Sequence, residues 1–133
     1  MNQKDLRWKQ RFQNFKKVYD QLTVAVDQYP DLNDMEKEGM VQRFEYTFEL
    51  AWKTMKDFLE SQEVEVKFPR DAIKNAFQYE IIEDGEIWMD MLERRNEMSH
   101  TYNETYFRNV IELISDPYFK AVKQLVEFLE SRL

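Results

Sequence analysis

The sequence has no cysteine, one histidine, two glycines and three prolines in 133 residues. The lack of cysteine excludes disulfides, thiolate metal sites and cysteine nucleophiles. A single histidine, His100, excludes metal sites built on paired imidazoles of one chain. Hairpins and sandwiches need turn residues at short, regular intervals, and this chain has too few for them. Helices joined by short loops remain. No apolar run is long enough to span a bilayer. The segment Met1 to Gln10 is polar, without a signal-peptide core, so the cytoplasm is the expected location. A Gly-rich phosphate loop and a nucleophile elbow are both missing.

What is present is side-chain volume. The chain is 43% hydrophobic and 15% aromatic, enough for a packed core despite 34% charged residues. Its length fits one domain over 1–133. The net charge of −7 argues against a broad nucleic-acid-coating surface. The charge is uneven, however. Residues 1–20 hold Lys4, Arg7, Lys9, Arg11, Lys16 and Lys17 against Asp5 and Asp20, a balance of +4 that leaves −11 for the rest. The expectation for this basic face is a solvated helix surface.

Hydrophobic periodicity places the elements. Trp8, Phe12, Phe15, Tyr19, Leu22, Val26 and Tyr29 alternate at spacings of four and three, which predicts a helix from about Lys4 to Gln28 ending at Tyr29-Pro30. A second helix to Ser61, capped by Asn33 or Asp34, carries Met40, Phe44, Phe48, Ala51, Met55, Phe58 and Leu59. Glu63 to Phe68 reads as an extended connection. Pro69 suits the first turn of a third helix with Ile73, Ala76 and Phe77 inward. Asp84-Gly85 marks a turn before a fourth helix, about Glu86 to Ser99, with Trp88, Met91, Leu92, Arg95 and Ser99 on one side. A short piece covers about Glu104 to Ile114. Asp116-Pro117 is expected to open the last helix, with Tyr118, Val122, Leu125 and Leu129 inward. The predicted fold is all-α: an antiparallel up-and-down four-helix bundle with one or two short extra helices. Stripes so rich in aromatics suggest a homodimer that covers what one chain leaves exposed.

Chemistry points to the segment from Arg95 to Tyr102. Arg95 lies on the apolar stripe of the fourth helix, and a guanidinium there requires a partner. That partner is either an internal carboxylate or an anion received in a cleft, and the internal ion pair is favoured by the residues alone. His100 would point away from Arg95 on an ideal helix, a restriction that relaxes if the helix ends near Ser99. A capping histidine and a functional one are equally good readings of its position. Beside a phosphate, an Arg clamps oxygens while a His moves a proton, and RNA supplies its own 2′-hydroxyl nucleophile. No metal or cofactor is needed. One His per chain cannot be base and acid at once; two chains would bring two.

Arg95, four residues, His100, one residue and Tyr102 form an R-x4-H-x-Y pattern that resembles the motif of HEPN domains. Three longer blocks resemble one branch, the nucleotidyltransferase substrate-binding proteins related to HepT-type toxins. They are Gln42 to Lys53, Pro69-Arg70-Asp71 with Ala76-Phe77, and Asp84 to Trp88 running on to Ser99-His100-Thr101-Tyr102. With Arg7-Trp8 and Arg11-Phe12 they span nearly the whole chain. The resemblance implies a homodimeric helical bundle and a minimal nucleotidyltransferase partner in a two-component, toxin–antitoxin-like system. It implies that Arg95 holds phosphate, that His100 is the acid–base of a metal-independent endoribonuclease, and that Tyr102 accepts AMP from the partner. Asn96, one turn before His100, would orient it or is a plain surface residue. The chain has no nucleotidyltransferase signature of its own. A binding subunit that presents substrate to the nucleotidyltransferase without catalysis stays open as the alternative.

Overall fold

The computed structural model describes residues 2–98 and 104–133, with the side chain of Met98 excepted. Among the described residues every regular element is helical. In chain order they are α1 (Gln3–Gln28), a 3-10 turn (Tyr29–Asp31), α2 (Asp34–Ser61), α3 (Pro69–Gln78), α4 (Gly85–Met98), α5 (Glu104–Leu113), a π turn (Ile114–Tyr118) and α6 (Phe119–Glu130).

Local chemistry sets most of the boundaries. Asn2 caps α1 by accepting the Asp5 N–H at 2.8 Å. Asn33, rather than Asp34, caps α2 in a reciprocal box: it accepts from Glu36 N at 2.8 Å, and Glu36 accepts from Asn33 N at 3.0 Å. Asp84 caps α4 through Ile87 N at 3.1 Å, which makes Gly85 the first helical residue. Two helices end on left-handed glutamates, Glu63 (φ 64°) and Glu80 (φ 61°). The chain then folds back, with Val64 N donating to Leu59 O at 2.9 Å and Ile81 N to Ala76 O at 2.8 Å.

One boundary differs from expectation. Asp116-Pro117 does not open a separate last helix. Proline lacks an N–H, and its ring collides with the carbonyl four residues back in a regular helix. Here the backbone widens into the π turn around Pro117, and α5 runs through it into α6. This keeps Tyr118 wholly buried.

The stripes of α1 and α2 are absorbed inside the chain. Trp8, Phe12, Phe15, Tyr19 and Leu22 are buried, as are Met40, Phe44, Phe48, Ala51, Met55, Phe58 and Leu59. Near the end of α1 the buried position is Ala25; Val26 and Tyr29 pack only partly against the core. Ring contacts join the helices. Trp8 meets Phe58 edge-on at 5.0 Å, Phe44 stacks on Tyr118 at 5.5 Å, and Phe48 lies 6.2 Å from Trp88. Phe77, expected inward, is 53% exposed, while Ile73 and Ala76 of α3 are buried. The Phe77 ring lies against Gly85, 3.1 Å from where a Cβ would stand.

The basic face of α1 is not simply solvated. Lys4 pairs with Glu63 at 3.1 Å, Arg7 with Glu60 at 3.6 Å and Arg11 with Asp57 at 2.6 Å, so the cations of α1 meet the acidic end of α2. Arg43 donates to Gln21 O at 3.0 Å further along. These pairings run in opposite chain directions, so α1 and α2 are antiparallel. Asp57 is 2% exposed and depends on Arg11.

Arg11→Ala should cost about 2–3 kcal/mol, because it leaves a buried carboxylate uncompensated, whereas Arg11→Met with Asp57→Leu should recover most of that loss. Urea unfolding of the three chains checks this; equal stability of the single and double variants would contradict it. Glu80→Gly should raise stability by roughly 0.5–1 kcal/mol, since glycine takes a positive φ without a Cβ clash. The midpoint of thermal unfolding measures that gain.

Candidate functional site

Helix α4 carries its apolar stripe through Trp88, Met91 and Leu92, all buried. Arg95 is the next residue on that stripe, in the last turn, where helix carbonyls favour a cation. It emerges at the edge of the core with its side chain 30% exposed. The partner that an apolar stripe demands is Glu49 of α2: Arg95 Nε and Nη2 both donate to Glu49 Oε1. Glu49 Oε2 accepts from the Trp52 indole at 3.1 Å. Nη1 of Arg95 donates to Asn96 Oδ1 at 3.0 Å. The guanidinium carbon lies 6.0 Å from the Phe48 ring centroid.

Of the residues singled out in the sequence, the structure thus brings Arg95 and Asn96 together. His100 and Tyr102 lie outside the described residues, as does Ser99. The residues that sequence reasoning missed are Glu49, Trp52 and Glu45. All three lie in the family block Gln42 to Lys53, but nothing in its spacing names Arg95 as the partner of Glu49, 46 residues away. Glu45 stands one turn before Glu49. Burial, reinforced by the Glu49 charge, holds its carboxyl above the usual carboxylate range.

The guanidinium is therefore paired with Glu49, and Glu45 adds a second carboxyl one turn away on α2. An anion reaching Arg95 must displace Glu49 from the Nε–Nη2 edge or share the Nη1 side with Asn96. Glu49 holds the guanidinium in a fixed orientation, and its partial exposure leaves it within reach of solvent.

A second set of contacts fixes the helix that carries Arg95. Arg94 makes its own pairs along α4, with Nη2 3.6 Å from Asp90 and Nη1 3.1 Å from Glu97. Asp90 also accepts from the buried Tyr118 hydroxyl, whose pKa burial and that carboxylate together push up. Tyr106 of α5 donates to the Arg94 carbonyl at 3.3 Å, and its ring centroid lies 5.8 Å from the Arg94 guanidinium. The end of α4 and the start of α5 are thereby tied to each other and to the π turn. No group of His, Asp or Glu suited to a metal ion occurs among the described residues, and no described helix is long and apolar enough to cross a membrane.

A raised carboxyl pKa means that the folded chain binds this proton more tightly than the unfolded chain does. The stabilising contribution is complete below the unfolded pKa and is lost as pH rises through the folded one. Glu45→Gln should therefore raise the melting temperature at pH 7, with the gain disappearing near pH 4, around the ordinary carboxyl range. Melting curves at the two pH values decide it.

Comparisons with known proteins place the chain in a family. A family model described as nucleotidyltransferase substrate binding protein like matches residues 10–131. The chain is 29% identical over 83 residues to a probable ribonuclease HepT of Haemophilus influenzae. That match covers 59% of this chain and 57% of the relative, a little over half its length. A crystal structure of a Thermus thermophilus protein superposes with a TM-score of 0.78 at 28% identity, over 85% of this chain and 96% of that one. With a match running almost from end to end, the chain belongs to the nucleotidyltransferase substrate-binding protein family, related to HepT and the HEPN proteins.

Proposed function

We propose that the chain is the partner subunit of a minimal nucleotidyltransferase in a toxin–antitoxin-like pair. In this reading it acts as a single HEPN-like domain over 1–133, a dimeric four-helix bundle, and cleaves RNA without a metal. The observation that carries the reading is the placement of Arg95: a guanidinium at the C-terminal end of α4, oriented by Glu49 and Asn96, five residues before the sole histidine.

The chemistry follows from the residue types. His100 takes the proton of a ribose 2′-hydroxyl, whose oxygen attacks the adjacent phosphorus. Arg95 stabilises the charge that grows on the phosphate oxygens. The bond from phosphorus to the 5′-oxygen breaks, and an imidazolium returns a proton to that oxygen. The products are a 2′,3′-cyclic phosphate and a 5′-hydroxyl. A dimer supplies two His100 rings, one for each proton transfer. Phosphate entry requires Glu49 to yield part of the Arg95 fork. The nucleotidyltransferase transfers AMP from ATP to Tyr102: the phenol oxygen bonds to the α-phosphorus as pyrophosphate leaves and the phenol proton is lost, and the bulky anion on Tyr102 opposes RNA binding.

The Glu49–Arg95 pair also favours a second reading, in which the chain binds the nucleotidyltransferase and presents its substrate without cutting RNA. A carboxylate already paired with the guanidinium, with a second one turn before it on α2, disfavours a polyanion.

Cleavage of a structured RNA by the purified chain, with EDTA present, separates the two. The catalytic reading expects 2′,3′-cyclic phosphate ends, and a loss of roughly 100-fold or more in His100→Ala and Arg95→Ala. Equal cleavage by wild type and both variants would reject the assignment. Absent cleavage with intact partner binding leaves the second reading standing. Mass spectrometry after co-expression with the nucleotidyltransferase should find AMP on Tyr102.

A further inference from the structure

Helices α3 and α4 enclose a cleft of about 620 Å³ that the proposed chemistry does not use. Its floor is apolar, made by Ile73, Phe77 and Met89, and its rim is acidic, with Glu83, Glu86 and Glu93. Lys74 is the one cation lining it. Phe77 keeps 53% of its surface open, so the cleft presents an aromatic face to solvent instead of closing over it. Gly85 lets that ring lie flat across the start of α4, 3.1 Å from the position of a missing Cβ.

Glu86, Met89 and Glu93 succeed one another at spacings of three and four, so they form one face of α4. Arg95 lies on the opposite side: at about 100° per residue it is half a turn of rotation from Glu86. The same helix thus offers a guanidinium on one side and an acid-rimmed apolar cleft on the other. A polyanion is repelled from the cleft. A protein surface that places an aliphatic side chain among lysines or arginines matches both its floor and its rim.

We propose that the α3–α4 cleft is the docking site for a basic surface of the nucleotidyltransferase. The inference rests on the partner reading above and locates that partner on α4, away from Arg95. An apolar anchor fills the space over Phe77 and Met89, and the cations around it meet Glu83, Glu86 and Glu93.

The test is titration calorimetry of the full chain against a minimal nucleotidyltransferase of the same organism, at low and high salt. Compared with wild type are Glu86→Lys with Glu93→Lys, Phe77→Ser, and a control with the same charge change elsewhere, Glu65→Lys with Glu112→Lys. Melting temperatures confirm that each variant is folded. The cleft variants are expected to bind roughly tenfold or more weakly, with the charge-reversal loss largest at low salt and the control unchanged. Binding by wild type and cleft variants alike would overturn the site while leaving the partner reading intact. No binding by wild type would overturn both. A fall in the chain's own oligomeric mass in the cleft variants, with partner binding unchanged, would assign the cleft to a second copy and overturn the proposal.

Discussion

Phe44 and Phe48 stand one turn apart on α2, and the rest of the molecule is arranged around their burial. Phe44 stacks on Tyr118, which lies in the π turn between α5 and α6. Phe48 packs against Trp88 of α4 and lies under the Arg95 guanidinium. Two neighbouring rings on the longest helix thus fix the positions of both later helical segments. Large flat side chains bury much area and restrict how neighbours approach, so a shift of α2 would move α4 and the π turn together.

Polar contacts add direction to this packing. Glu49 follows Phe48 on α2 and reaches Arg95 where the α4 stripe leaves the core. Asp90, one turn after Glu86 on α4, receives the Tyr118 hydroxyl and pairs with Arg94. The two arginines, adjacent in sequence and about 100° apart round the helix, are held by carboxylates of different elements, Arg94 by α4 itself and Arg95 by α2. Arg94 serves the joint with α5 and the π turn, and Arg95 serves the candidate site.

The antiparallel pairing of α1 with α2 gives the basic start of the chain its role. Its cations are matched along the acidic end of α2, with Asp57 the buried member. The remaining negative surface gathers elsewhere, including the rim of the α3–α4 cleft.

The helices were legible in the sequence because burial along one stripe repeats every 3.6 residues, and caps such as Asn33 act within a few residues of themselves. The buried stripes of α1 and α2 and the ends of both helices follow from such local rules. So does the need of Arg95 for a partner, since a guanidinium cannot lose its charge in an apolar setting. The family was readable because the blocks that carry it are a property of the sequence itself. The outward turn of Phe77 was not, because it depends on how closely α3 approaches Gly85. Nor was the π turn at Pro117, where continuing packing on both sides holds the helix together across a residue that locally would end it. At Arg95 to Tyr102, where the sequence concentrated its chemistry, the pattern required a counter-charge for the arginine. Only the tertiary structure could choose Glu49, because an ion pair between residues 46 apart exists only after packing has brought two helices together.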